Sequence, residues 1–262
     1  MLNHWRTRLV LIFFSGLIIL FIAAPILGML IQTTPAQYSA TFADAEVGRS
    51  IRLTLGSSMV ATLLFGILSI PLAYLLARKD FALKGLINGI IDVPVVIPHS
   101  AAGIALLGIL SRNTLPGQAA ESMGFSFIGG TAGIVVAMAF VSLPFAINAA
   151  RDGFASVPRK LEKAALNLGA SPFRVFFTIS LPLAKRSVLS GLVMMWARGL
   201  SEFGAVIIIA YHPMVTPVLI WERFASFGLS FAQPVAAVYI LICLAVFVVM
   251  RLLAKSNDHA RN

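Results

Sequence analysis

The sequence predicts an all-α integral membrane protein with six transmembrane helices, and three observations lead there. Hydrophobic residues fill 59% of the 262 positions and charged residues only 11%, far more apolar surface than one soluble core requires. These apolar residues gather into six runs of at least about 20 residues, each about 30 Å of helix, which is the thickness of the bilayer hydrocarbon. The cations are also sorted by side. With the N-terminus inside, Arg6, Arg8, Arg78, Lys79, Lys84, Arg151, Arg159, Lys160, Lys163, Arg174, Lys185, Arg186, Arg251, Lys255 and Arg261 fall in cytoplasmic segments, and only Arg49, Arg52, Arg112 and Arg223 in external ones. This is the positive-inside pattern, and it places both termini in the cytoplasm of a multi-pass protein of the cell (inner or plasma) membrane. The net charge of +10 therefore reports topology, and neither an anionic cargo nor a nucleic-acid partner is needed to explain it.

The first predicted span runs from Leu9 to Ile31. Basic residues before it and small residues after it imitate a secretory signal, but its uncharged stretch exceeds the usual core of about 7 to 15 residues, so it reads as an uncleaved helix. The stretch from Thr33 to Ser39 reads as an external loop. Ile51–Ala77 and Gly85–Leu110 are the second and third spans, and Asn113–Gly124 a second external loop. Phe127–Ala150 is the fourth, Ser187–Tyr211 the fifth and Val235–Ala254 the sixth. Pro25, Pro71, Pro94, Pro98 and Pro144 mark kinks, which bilayer helices tolerate when neighbours satisfy the freed carbonyls. Gly85 with Gly89 and Gly129 with Gly133 have the spacing for close helix contact, read as internal packing. Between the last two spans, Trp221, Glu222, Arg223, Phe224 and Phe227 form an amphipathic external segment, either an interfacial belt or a docking surface. Cys243, the single cysteine, can form no intrachain disulfide and reads as a small apolar residue. The tail from Lys255 reads as a solvated end.

Several chemistries are missing. No G-x-x-x-x-G-K-[ST] loop occurs, so an energy-coupled transporter built on this chain must take its ATPase from a separate polypeptide. His4, His99, His212 and His259 are scattered and make no metal-ligand pair. With no G-x-S-x-G and no H-E-x-x-H, an enzyme has no motif to stand on.

One polar, basic and helix-forming segment, about residues 159–183, interrupts the apolar runs. Its core reads Leu161-Glu-Lys-Ala-Ala-Leu-Asn-Leu-Gly-Ala170 and it closes at Leu181-Pro182. Two alanines give a helix a closely approachable side, Gly169 can cap its C-terminus and reverse the chain, and Ser171-Pro172 can start the next helix. The spacing of Ala164, Ala165, Gly169, Ile179, Leu181 and Pro182 resembles the cytoplasmic coupling loop of the permease subunits of ABC-type importers. The resemblance implies contact with an ATPase through Glu162, Lys163, Ala164, Ala165, Gly169, Ala170, Leu181 and Pro182. The commonest form of that loop has Glu directly before the two alanines; here Lys163 stands there and Glu162 precedes it.

Two further stretches lie inside predicted spans. In Trp196-Ala-Arg-Gly-Leu-Ser-Glu-Phe-Gly-Ala205, Arg198 and Glu202 are four apart on one helix face and can neutralise one another beside Ser201. Intramembrane charge is costly unless it faces protein or water, so the pair is either part of the passage or a clamp between helices. In Ile91-Asp-Val-Pro-Val-Val-Ile-Pro-His-Ser-Ala-Ala-Gly103, Pro94 and Pro98 free backbone groups near Asp92, His99 and Ser100, and a helix restarting after Pro98 would aim its amides at an anion. A kinked packing helix is the alternative. Both stretches are similar to oxyanion permeases, most narrowly the molybdate/tungstate branch, with similarity from about Leu53 to Val249. That resemblance implies the permease fold of type I ABC importers and alternating access for molybdate or tungstate, with sulfate or thiosulfate as the alternative cargo. It implies a homodimer over two ATPase copies that bind ATP and Mg, an external solute-binding protein, and no cofactor on this chain, which is embedded in lipid. The rival is a channel or ion-coupled secondary transporter using Asp92, His99, Arg198 and Glu202 as a relay.

Overall fold

The computed structural model describes residues 5–259, and among these every regular element is helical. In chain order they are α1 (Trp5–Gln32), α2 (Pro35–Ala43), α3 (Ala45–Ala61), a π-helical turn (Thr62–Gly66), α4 (Ile67–Arg78), α5 (Lys84–Val96), α6 (His99–Leu110) and α7 (Leu115–Ser122). Then come α8 (Thr131–Ser156), α9 (Arg159–Asn167), α10 (Pro172–Val175), a second π-helical turn (Phe176–Ser180), α11 (Leu181–Leu200), α12 (Gly204–Ile209), α13 (Thr216–Phe227) and α14 (Leu229–His259). Among the described residues 5 helical stretches are long and apolar enough to cross a membrane, or 6 if the α5–α6 pair counts as one span.

Four sequence expectations change. The third span is not one rod but two helices bent by 114°. Its hinge lies at Ile97-Pro98, because proline lacks an amide hydrogen and drives the residue before it into extended backbone, here φ −72 and ψ 149. Pro94, by contrast, sits inside α5. The fifth span ends its main helix at Leu200, then breaks over Ser201–Phe203 before α12 begins. The two external loops each contain a helix: Thr34 caps α2 in a box with Gln37, and Thr114 caps α7, both followed by a proline in the first turn. A Cβ on Gly85 or Gly89 would meet open space, whereas Gly133 packs against Phe127 and Ile209.

The chain forms two compact units, Met1–Gly48 with Ile220–Asn262 and Arg49–Leu219. In the first, Tyr38 donates its hydroxyl to the Leu30 carbonyl at 3.0 Å, folding α2 back on the end of α1. Arg223 donates to Asp44 Oδ2 at 2.6 Å and Glu46 Oε2 at 3.0 Å, pinning α13 to the α2–α3 corner. Partial burial acts to raise the Asp44 carboxyl, but the Arg223 hydrogen bond and the Glu46 and Val47 amides outweigh it and hold it below the ordinary carboxylate range. None of the apolar window of α1 is buried.

The second unit is built around α8. Ile134, Ala137, Met138, Val141, Ile147 and Phe154 on α8 are buried, and α11 is its most extensive neighbour. Lipid tails are as apolar as leucine, so association here depends on close packing rather than on escape from water. The small residues supply it. A Cβ on Gly191 would lie 2.8 Å from that of Ala149, and Gly153 has no room for one beside Ser187. One cluster, around Met138, Met195, Ala205 and Ile209, joins α8 to α6, α11 and α12; a second, around Tyr74, Leu76, Phe154 and Val188, joins it to α4 and α11.

Candidate functional site

Two groups of polar and turn residues stand out, and the structure keeps them apart. The first is the hairpin formed by α9 and α10. Gly169 reverses the chain at φ +86, a conformation costing an L-residue about 1–2 kcal/mol. The Ala170 amide donates to the Ala165 carbonyl and the Gly169 amide to that of Leu166, both at 3.0 Å, which is the Schellman closure of a helix. Ser171 then caps α10 through the Arg174 amide at 3.3 Å, with Pro172 in its first turn. Lys163, Ala164 and Gly169 are exposed and Ala165 and Ala170 half-buried. Three large apolar side chains stand out beside them: Leu168, 89% exposed, and Phe173 and Phe177, whose rings pair at 4.6 Å. Leu181 and Pro182 start α11 just after the second π turn.

Glu162 faces the other way. It is buried, and its Oε1 accepts from Arg78 Nη2 at 2.8 Å, Arg78 Nε at 3.0 Å and Ser180 Oγ at 2.6 Å. Neither Arg78 nor Ser180 stood out in the sequence. The signal available was the Arg78-Lys79 pair at the inner end of a predicted span, which positive-inside counting absorbs without remainder.

The second group lies where α6, α11 and α12 meet. Arg198 Nη2 donates to Glu202 Oε2 at 3.0 Å, Glu202 Oε2 lies 3.2 Å from His99 Nδ1, and Arg198 Nη2 is 2.9 Å from the His99 ring nitrogens. Arg198 Nη1 donates to Ser201 Oγ at 3.0 Å. Glu202 is 0% exposed, and its Oε1 accepts the Ala205 amide at 2.9 Å, so one carboxylate both neutralises Arg198 and opens α12. With the opposite charges paired, the cluster offers an incoming anion only weak attraction. Ser100 is exposed on the first turn of α6, where Gly204 packs so closely that a Cβ there would lie 2.7 Å from His99 Cβ and 3.2 Å from the Ser100 nitrogen. Pro98 occupies the position just before α6, with no side-chain bond to its amides, and Pro94 is buried in α5. Asp92 does not join this cluster. Its Oδ1 accepts from Asn148 Nδ2 on α8 at 2.7 Å, leaving Asn148 Oδ1 buried with no partner. Among the described residues no three His, Cys, Asp or Glu side chains come together as metal ligands.

With this geometry in hand, the chain can be set beside known proteins. Residues 69–259 match the family described as the binding-protein-dependent transport system inner membrane component. The molybdate/tungstate transport system permease protein WtpB of Pyrococcus abyssi is 47% identical over 214 residues, covering 81% of this chain and 80% of its own. Its namesake in Methanocaldococcus jannaschii is 40% identical over 242 residues, covering 92% and 94%. Among solved structures, a bacterial ABC transporter involved in import of the acidic polysaccharide alginate superposes with a TM-score of 0.75 over 96% of both chains, at 16% identity. The helical order and the match over most of the chain agree: this protein is a multi-pass membrane component of the binding-protein-dependent transport family, with the permease fold of type I ABC importers.

Proposed function

We propose that the chain is the permease of an ATP-driven importer for molybdate or tungstate, working as a homodimer beneath an external solute-binding protein and above two ATPase subunits that bind ATP and Mg. The hairpin carries this reading. Leu168, Phe173 and Phe177 form an exposed apolar surface on a rigid, twice-capped turn, suited to insertion into a partner's groove. In the positive-inside orientation it faces the cytoplasm, where a nucleotide-driven subunit would reach it. The cargo follows from the relatives at 40–47% identity, which carry molybdate/tungstate names.

In this mechanism the chain supplies no chemistry and needs no resident cofactor. Closure of the ATPase pair shifts the hairpins, and the shift reorients the spans between outward and inward openings. In this reading the Arg198–Glu202–His99 cluster, at the junction of three helices, serves as a gate that passes a dianion without retaining it, since a deep well would slow release. The test is reconstitution in liposomes with the partner ATPase and a loaded binding protein. ATP-dependent molybdate uptake, competed by tungstate and far less by sulfate, is expected. Uptake without the ATPase would place the chain among channels or secondary transporters and overturn the proposal, and equal competition by sulfate would overturn the cargo.

A further inference from the structure

Glu162 stands beside the two alanines of the hairpin, yet its carboxylate turns away from the exposed surface and into the chain. Three donors converge on its single Oε1: Arg78 Nε and Nη2 at 3.0 and 2.8 Å, and Ser180 Oγ at 2.6 Å. Arg78 Nη2 also donates to the Val157 carbonyl at 3.1 Å, in the turn between α8 and α9. The side chains of Arg78 and Glu162 are only 8% and 10% exposed. The guanidinium carbon lies 5.9 Å over the Tyr74 ring, which in turn makes edge contacts with Phe154 and Phe176 at 5.2 and 4.9 Å. The inner ends of α4 and α8, the hairpin helix α9 and the π-helical turn that leads into α11 therefore meet at one buried ion pair.

We propose that Arg78 is a positioning residue that makes the inner end of α4 move as one body with the hairpin, and that Glu162 is its counter-charge rather than a contact for the ATPase. This rests on the reading of residues 159–183 as the ATPase-coupling segment. α9 follows α8 through the backbone and the π-helical turn before α11 through Ser180, but α4 is separated from α9 by 80 residues of chain. Its shortest polar tie to the hairpin runs through the Arg78 guanidinium; a longer one, from Arg159 Nη2 to the Arg78 carbonyl at 3.4 Å, and the Tyr74–Phe176 edge contact do not involve that charge. A planar guanidinium can hold the carboxylate and the Val157 carbonyl together with fixed angles; a lysine ammonium is a single point charge on a flexible stem and cannot reproduce that geometry.

The experiment uses the reconstituted complex of permease, ATPase and binding protein and measures molybdate imported per ATP hydrolysed. Arg78→Met keeps an apolar stem over Tyr74, and Arg78→Lys keeps the charge. In Arg78→Met the ATPase is expected to co-purify as in the parent while molybdate per ATP falls at least tenfold, with Arg78→Lys in between. Spin labels at Leu75→Cys on α4 and Asn167→Cys on α9, in a Cys243→Ala background, should give a narrow distance distribution in the parent both with and without ATP, and a broad one in Arg78→Met. An unchanged transport ratio, or an unchanged distribution, would overturn the proposal. Loss of ATPase co-purification in Arg78→Met would do the same, since it would assign the pair to the docking surface. If Arg78→Met does not fold, Glu162→Gln, which keeps the shape, decides by the same two readouts. Failure of the underlying reading is separate: a parent complex that never couples ATP to uptake would sink the importer, whereas the label distances report the tie between α4 and α9 in either case.

Discussion

Glu202→Gln is the most informative single change in the membrane cluster, because it alters charge and almost nothing else. The parent carboxylate is fully buried, 3.0 Å from Arg198 Nη2, 3.2 Å from His99 Nδ1 and 2.9 Å from the Ala205 amide. A glutamine oxygen still accepts from Ala205, so the start of α12 survives, but an NH2 group now confronts the guanidinium. Removing one member of a fully buried pair costs about 3–5 kcal/mol. Arg198 is 21% exposed and keeps Ser201 at 3.0 Å, so we expect about 2–3 kcal/mol, or roughly 30- to 140-fold in the folded ratio. Arg198→Met leaves the better-buried charge stranded and should cost at least as much. The double change strands neither, and should restore at least about 1.5 kcal/mol relative to the sum of the single losses. The assay is denaturant unfolding in detergent at neutral pH, with vesicle uptake run in parallel. If the single losses add to the double within about 0.5 kcal/mol, the two residues act independently and the gate is wrong.

Gly169 has open space around it, so its constraint is the positive φ alone: Gly169→Asn should retain ATPase co-purification, while Gly169→Val should lose it at a cost of about 1–2 kcal/mol to the hairpin. Gly204→Ala puts a methyl group against His99 and should destabilise by about 1–3 kcal/mol with reduced uptake, read by thermal melting and transport. The Asp44 carboxyl is held below its ordinary 3.8, so its stabilising contribution is fully present above that pH and is lost as pH falls through the lower folded value. Acid melts of the parent should show that loss, and Arg223→Gln should shrink it. Single cysteines at Lys160 and Leu115, in a Cys243→Ala background, should label from opposite faces of the membrane, cytoplasmic and external respectively; labelling from one face would refute the orientation.

Class and membrane character were legible in composition and charge, because both are sums over many residues and survive local error. The hairpin was legible for a local reason: Gly169, Ser171 and Pro172 act on their own backbone, and each does in the structure what its chemistry favours. The pairing of Arg198 with Glu202 follows from helix periodicity alone, but the break at Ser201–Phe203 does not, because no proline marks it and apolar residues resume directly after it. The long-range partners were hidden. His99 reaches Glu202 across 103 positions, Asn148 reaches Asp92 across 56 and Arg78 reaches Glu162 across 84, and no periodic pattern records such distances. At Gly169 the space is ample, so what the position demands of its residue is a dihedral angle and not a small volume.

The two π-helical turns, at Thr62–Gly66 and Phe176–Ser180, each slip one surplus residue into an otherwise continuous helix. One residue is about 100° of azimuth. The turns therefore act as phase shifters, dialling the side chains before them to a different compass bearing from those after them. Ser180, the last residue of the second turn, reaches Glu162 at that setting. Deleting one residue from the turn would leave composition, hydropathy and length almost untouched while swinging the preceding hairpin about 100° around the axis of α11. Insertions and deletions in these five-residue windows should be far less tolerated than substitutions, an asymmetry that a deletion scan would reveal without reference to any side chain.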